Sequence, residues 1–441
     1  MLYATARFVV VFLDSHLSGE RAPYIQMQTP DSVNIRWLTE DNHVGILHFG
    51  LEPEHMPTVH VEAASVKNHR VRLKGLKPAT KYYYQVGEIG NYHDFDAEKH
   101  WFYTTPVETV ATRIWVIGDS GRAGEVQNNV RDSAFNWMRE NPLFDEGKTA
   151  EKGKPMVDVW LALGDLAYTS GTNEQFQVSL FEPYEDLLSN TSLWPVYGNH
   201  DDRRWTYFRI FDLPENAEAG GIASDTENYY AFEYSNIHFI MLDSQSSSRL
   251  ADGDMTKWLK EDLANNTKPW VVAAFHHPPY TKGSHDSDDE GDSKGRMQEM
   301  RENIVPILEQ AGVDLVLSGH SHMYERSYLM DCAYGLSEQF TSDNIVSAGE
   351  EGKHQKYIKP ALPSAHSGTI YMVAGSSSKV DQGPLDHSAN HIGLLEAGSV
   401  VIDVVDNKLT VRFINDKGLL SDEFSITKQE GYKSEYKGCN K

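Results

Sequence analysis

The pattern of apolar and polar positions divides the chain. Between residues 22 and 106 the runs SVNIRWLT (32–39), VGILHFG (44–50), HRVRLKGL (69–76) and KYYYQVG (81–87) alternate apolar and polar residues and are broken by turn residues. Alternation with a period of two buries one face of a strand, and short strands at this spacing predict a β-sandwich. WFYTTP (101–106) closes the unit, with Pro106 at its boundary. From residue 112 the runs become continuously apolar. RIWVIGD (113–119), VDVWLALGD (157–165), LWPVYGNH (193–200), NIHFIMLDS (236–244), PWVVAAFHH (269–277) and VDLVLSGH (313–320) read as buried strands. Helical patterns lie between them, near 125–140, 174–189, 254–265 and 299–311. This alternation predicts a layered α/β domain with its function at the strand ends. GTIYMVAGS (368–376), SVVIDVVD (399–406) and KLTVRFIN (408–415) return to strands, the last two joined as a hairpin over Asp406-Asn407. The resulting division is an N-terminal segment (1–20), a sandwich domain (21–107), an α/β domain (108–430) and a tail (431–441).

Composition narrows the function classes. The chain has 441 residues, 40% of them apolar and 24% charged, which fits a soluble protein of two or three domains. A net charge of −24 argues against nucleic-acid binding, which needs a basic footprint. No apolar run reaches membrane-spanning length. FVVVFL at 8–13 follows Arg7 but is shorter than a good secretory core. It reads as a poor or remnant signal, or as an ordinary N-terminal strand. A secreted or periplasmic location is the expectation. Cys332 and Cys439 allow one bridge or two idle thiols. Two stretches read as long surface loops, 285–296 and 331–367. In the first, Asp286, Asp288 and Glu290 precede Gly291 as in a calcium loop, but Met297 stands where a bidentate Glu is required. A solvated acidic loop is the better reading.

Candidate chemistry sits at the strand ends. GHSHMYERS (319–327) places His320 and His322 on the turn leaving an apolar run, where two imidazoles can face one point. GDSG (118–121), GDLAY (164–168), GNHD (198–201) and FHHPPY (275–280) add carboxylates, an amide and more histidines. Metal-assisted phosphoester hydrolysis needs such a mixture: cations to neutralise phosphoryl oxygens, a metal-bound hydroxide, and a proton source for the leaving group.

The five blocks in this order resemble the signature of the purple acid phosphatases, a branch of the calcineurin-like metallophosphoesterases. The resemblance implies a metallophosphoesterase domain, a β-sandwich core flanked by helices, preceded by a fibronectin type III-like or Ig-like sandwich that packs beside the active-site mouth. It implies two metal ions. Asp119, Asp165, Tyr168 and His322 would hold the first, and Asp165, Asn199, His276 and His320 the second, with Asp165 bridging. The wider superfamily has Asp-x-His in the first block, whereas this chain has Asp119-Ser120-Gly121; in the purple branch Tyr168 takes the place of the lost imidazole. A phenolate suits Fe(III) at the first site, with Fe(II), Zn(II) or Mn(II) at the second. His200 resembles the substrate-facing histidine, and His285 a further phosphate-side histidine. Asp201 stands where many members carry Glu, a shortening that would loosen His200. His277, Tyr324, Glu325 and Arg326 would support the ligands from behind. The implied activity is phosphomonoester hydrolysis, on small phosphate esters. A phosphodiesterase or nucleotidase on the same metals, and a non-catalytic binding protein, are the rivals. No oligomeric state follows.

Overall fold

The computed structural model describes residues 17–143, 154–201, 204–350, 354–434, 436 and 439. The apolar run at 8–13 and parts of the 431–441 tail lie outside the described residues.

The N-terminal unit is a six-stranded antiparallel sheet of Arg21–Gln26, Ser32–Gly50, Thr58–Lys74, Lys81–Glu88, Asn91–Tyr92 and Trp101–Tyr103. The runs at 32–39 and 44–50 are not two strands but one, Ser32–Gly50. Its pairing register shifts between Leu38 and His43, and Glu40, Asp41 and Asn42 are exposed there. A bulge bends the strand at these polar residues, which in sequence look like a turn. Ile35, Trp37, Leu47, Val71, Tyr84 and Phe102 form the buried core of the unit.

Two mixed seven-stranded sheets make the larger domain. One orders Gln355–Pro360, Leu420–Gln429, Lys408–Asn415, Gly398–Val405, Thr112–Ile117, Val159–Ala162 and Leu193–Pro195. The other orders Tyr230–Tyr234, Ile237–Met241, Trp270–Ala274, Leu315–Ser318, Ile370–Ala374, Tyr324–Ser327 and Asn390–Leu394. Their facing sides share one core, including Ile114, Leu161, Phe239, Leu317, Met372, Ile402 and Phe413. Helices close the outer faces. Glu125–Glu140 buries Val130, Ala134 and Met138 at helical spacing, and Asp254–Asn265 buries Met255, Trp258 and Leu259. No helix among the described residues is long and apolar enough to cross a membrane.

Strands exit toward one edge through strained turns. Asp119, Asp165 and His320 have φ of 53°, 54° and 69°, the left-handed region that costs a residue with a Cβ. The glycines beside them permit the crowding that follows. A Cβ on Gly319 would lie 2.4 Å from Asp119 Oδ2, and one on Gly198 would lie 2.3 Å from Asp165 Oδ1.

The sandwich domain packs on segments that follow the site. Arg36 pairs with Asp212 at 3.0 Å, Arg21 donates to Asn173 at 2.8 Å, and the Tyr84 hydroxyl donates to the Ser189 carbonyl at 2.7 Å. Tyr24, Met27 and Leu38 insert into the core of the larger domain. At the far end, Cys332 and Cys439 form a disulfide. The acidic loop is only partly solvated. Asp289 and Glu290 are exposed, but Asp288 turns inward to the Ser337 N–H at 3.0 Å and to Lys282 and Arg301, each at 3.4 Å.

Candidate metal centre

Four donor groups converge at the end of strands Thr112–Ile117 and Val159–Ala162. The Tyr168 hydroxyl lies 3.1 Å from Asp119 Oδ1, 3.2 Å from Asp165 Oδ2 and 2.9 Å from His322 Nε2. A second group adjoins it through Asp165. His276 Nε2 is 3.5 Å from Asp165 Oδ2 and 2.9 Å from Asn199 Oδ1. Both imidazoles are aimed by their other nitrogen. His276 Nδ1–H donates to the Leu163 carbonyl at 2.7 Å, and His322 Nδ1–H donates to Asp381 Oδ2 at 2.7 Å. This leaves each Nε2 facing the carboxylates, the arrangement that orients histidine toward a metal. His320 stands on the far side of His276, with ring centroids 5.0 Å apart, and its backbone N–H donates to Asp119 Oδ2 at 2.7 Å.

The electrostatics suit cations. Burial disfavours the charged form of His276, yet Asp165 and Asp119 outweigh it and lift the imidazole to about 9. Burial likewise opposes a proton on His322, and Asp119 and Asp381 again prevail. Protons thus take the place that positive metal charge would fill. Burial, then the two carboxylates, push the Tyr168 phenol well above its ordinary range, so only a strong cation would make it a phenolate. His320 and His277 go the other way. Burial and neighbouring histidines hold them neutral, the state in which imidazole binds metal. Two oxygen-rich and nitrogen-bearing donor sets sharing one carboxylate fit a pair of ions.

Residues 112–324 match the calcineurin-like phosphoesterase family, and residues 22–106 match the purple acid phosphatase N-terminal domain. The two matches together identify the chain as similar to the purple acid phosphatases along most of its length. It is 28% identical over 340 residues to purple acid phosphatase 22 of Arabidopsis thaliana, covering 72% of this chain and 69% of that protein. It is 29% identical over 295 residues to purple acid phosphatase 15 of the same plant, covering 59% of this chain and 49% of that one. In fold it is similar to a purple acid phosphatase from yellow lupin (Lupinus luteus) seeds, with a TM-score of 0.68 at 16% identity, covering 93% of this chain and 75% of that chain.

The purple acid phosphatase signature is thus gathered into one place, but not every supporting residue does what its position suggests. The side-chain hydrogen bonds of Tyr324 and Arg326 lead away from the candidate ligands. The Tyr324 hydroxyl donates to Asp422 at 2.6 Å, and Arg326 grips the same carboxylate at 2.7 and 2.9 Å. They fasten strand Tyr324–Ser327 to Leu420–Gln429, because alternate residues of a strand face the inter-sheet core. Glu325 faces the other way. It accepts from the Thr281 hydroxyl, the Lys282 N–H at 3.2 Å and Asn390 at 2.8 Å, and so anchors the loop after His277. His277 lies 4.5 Å from the His320 ring and shares a hydrogen bond of 2.9 Å with Ser244. Asp201 turns to the backbone of the ligand loops. Its carboxylate accepts from the N–H groups of Asp165 at 2.9 Å, Leu166 at 2.9 Å and Gly198 at 3.1 Å, tying two ligand loops together. His200 packs 4.6 Å from the Tyr168 ring and donates from Nδ1 to the Thr169 carbonyl at 2.9 Å. His285 stacks on His320 at 3.9 Å. Sequence reasoning missed Asp381, Asp292 and Ser293, which carry no motif and come from loops.

Proposed function

We propose that this chain hydrolyses phosphate monoesters at a pair of metal ions, with Asp119, Asp165, Tyr168 and His322 holding one and Asp165, Asn199, His276 and His320 the other. The observation that carries the reading is the convergence of Asp119, Tyr168 and His322 on Asp165 from one side and of Asn199 and His276 from the other. The ions would supply the charge that neutralises phosphoryl oxygens and activates the nucleophile. The tyrosine favours Fe(III) in the first place, with Fe(II), Zn(II) or Mn(II) in the second. The chain's own side chains bind and deliver protons. His200, its Nδ1–H held by Thr169, presents Nε2 to the phosphate and to the leaving oxygen. His285 faces the phosphate from the His320 side. The Cys332–Cys439 bridge supports an oxidising compartment, outside the cytosol.

Metal analysis and turnover test this together. Close to two metal ions per chain, one of them iron, are expected, with faster hydrolysis of 4-nitrophenyl phosphate than of bis(4-nitrophenyl) phosphate. Iron bound by Tyr168 gives a visible band that Tyr168→Phe abolishes. A colourless protein with two zinc ions would refute the iron assignment alone. Preference for the diester would make the chain a phosphodiesterase, and a metal-free, inert protein would leave a binding module.

A further inference from the structure

After His285 the chain continues with carboxylates, serines and glycines. That stretch returns to the site. Ser293 and Lys294 have φ of 52° and 58°, and Gly295 follows at 74°. Left-handed backbone is costly for residues with a Cβ and gathers where a side chain must be aimed. Arg296 pins the turn, donating to the Ser293 carbonyl at 2.8 Å and to the Gln245 carbonyl at 3.1 Å. The turn carries Asp292 and Ser293 up to two histidines. His320 Nε2 lies 2.6 Å from Ser293 Oγ, and the Ser293 hydroxyl donates to Asp292 Oδ1 at 2.7 Å. His285 Nδ1 lies 2.9 and 3.2 Å from the two oxygens of the same carboxylate.

These contacts determine tautomers. The Ser293 hydroxyl gives its one proton to a carboxylate, so its oxygen can only accept from His320. His320 therefore carries its proton on Nε2, and Nδ1 is the ring's lone-pair donor. The carboxylate also accepts from His285 Nδ1–H, which leaves Nε2 of that ring for a ligand. We propose that Asp292 and Ser293 are positioning residues, through which one carboxylate sets the tautomer of His320 by way of Ser293 and of His285 directly. The inference rests on the roles given above to His320, as a metal ligand, and His285, as a phosphate contact.

The test uses Ser293→Gly in the full chain. Glycine suits a φ of 52°, so the turn survives while the hydroxyl is lost. Nitrogen-15 spectra of the metal-free protein should show His320 changing from the Nε2–H tautomer to a mixture. Chelator competition with Zn(II) should show about a 10- to 100-fold weaker second ion, the usual consequence of losing a partner behind a ligand. Asp292→Asn should do the same and also weaken the binding of inorganic phosphate to the zinc-loaded protein, measured by calorimetry. At zinc concentrations that fill both sites, Asp292→Asn should weaken phosphate binding more than Ser293→Gly does, because only Asp292 also holds His285. If Ser293→Gly keeps both the His320 tautomer and the zinc affinity, Ser293 is only a turn residue and the inference fails. If Asp292→Asn binds phosphate as the wild type does, the His285 half fails. None of these measurements needs turnover. A chain that behaves as expected in them yet hydrolyses no ester would overturn the proposed activity and leave the tautomer control standing.

Discussion

His200 and Glu325 show how a side chain's partners decide its part. His200 is held through Nδ1 by a carbonyl and has no metal-holding neighbour on that nitrogen. His200→Ala should therefore retain its metals and lose about 10²- to 10⁴-fold in turnover, the range for removing a general acid. The loss should be smaller for aryl than for alkyl phosphates, because an alkoxide needs the proton more. Equal losses on the two substrates would exclude proton delivery. Glu325 belongs to the fold instead. Burial raises its carboxyl from 4.5 to about 7, against the hydrogen bonds it accepts from Thr281, Lys282 and Asn390. The folded state thus prefers the protonated form, and this contribution to stability is lost as pH rises from about 4.5 to about 7. Glu325→Gln mimics the protonated group. Its stability relative to the wild type should rise across that window, by roughly 3 kcal/mol at most. A pH-independent difference in urea unfolding would show that Glu325 titrates normally.

At the scale of elements, the legible parts were those with local pattern. Buried parallel strands and the helix Glu125–Glu140 announce themselves by runs and periodicity, and glycine before Asp119, Asp165 and His320 marks each sharp strand exit. Edge elements do not. Gln355–Pro360, at the edge of one sheet, and Leu420–Gln429 beside it are rich in polar residues and were not expected. Asp381 and Ser293 reach their histidines across 59 and 27 residues of chain, so no spacing betrays them. These two strands meet the other sheet through a buried charge. Asp314, at the start of strand Leu315–Ser318, pairs with Lys359 and Lys428 at 2.8 Å each, and all are almost fully buried. Asp314→Asn leaves two buried ammonium groups without a counter-charge. A loss of about 3–5 kcal/mol in urea-unfolding free energy is expected, as for other broken buried pairs. A loss under about 1 kcal/mol would mean that water reaches the lysines.

For the whole molecule, the two units are not independent bodies. Tyr24, Met27 and Leu38 of the first are part of the core of the second. Arg21 and Tyr84 brace the segment after Tyr168, while Asn34 and Arg36 grip Asp212 beyond His200. The sandwich therefore supports the framework behind the site. A chain starting at residue 107 would expose an apolar face and leave Asp212 without partners. It should melt well below the full chain and associate on size-exclusion chromatography. An unchanged melting temperature and a monomeric profile would show that the contact is incidental.

The bond between Cys332 and Cys439 spans 107 residues, nearly a quarter of the chain. Within that span lie the loop around 333–344 and strands of both sheets. A protease that nicks the loop would produce two polypeptides that remain one molecule. Limited digestion should give a single band on a non-reducing gel and two after dithiothreitol, and the nicked protein should keep its sheets until the thiol is added. Two bands without reductant, from a cut between residues 333 and 438, would mean that the sulfurs are not joined.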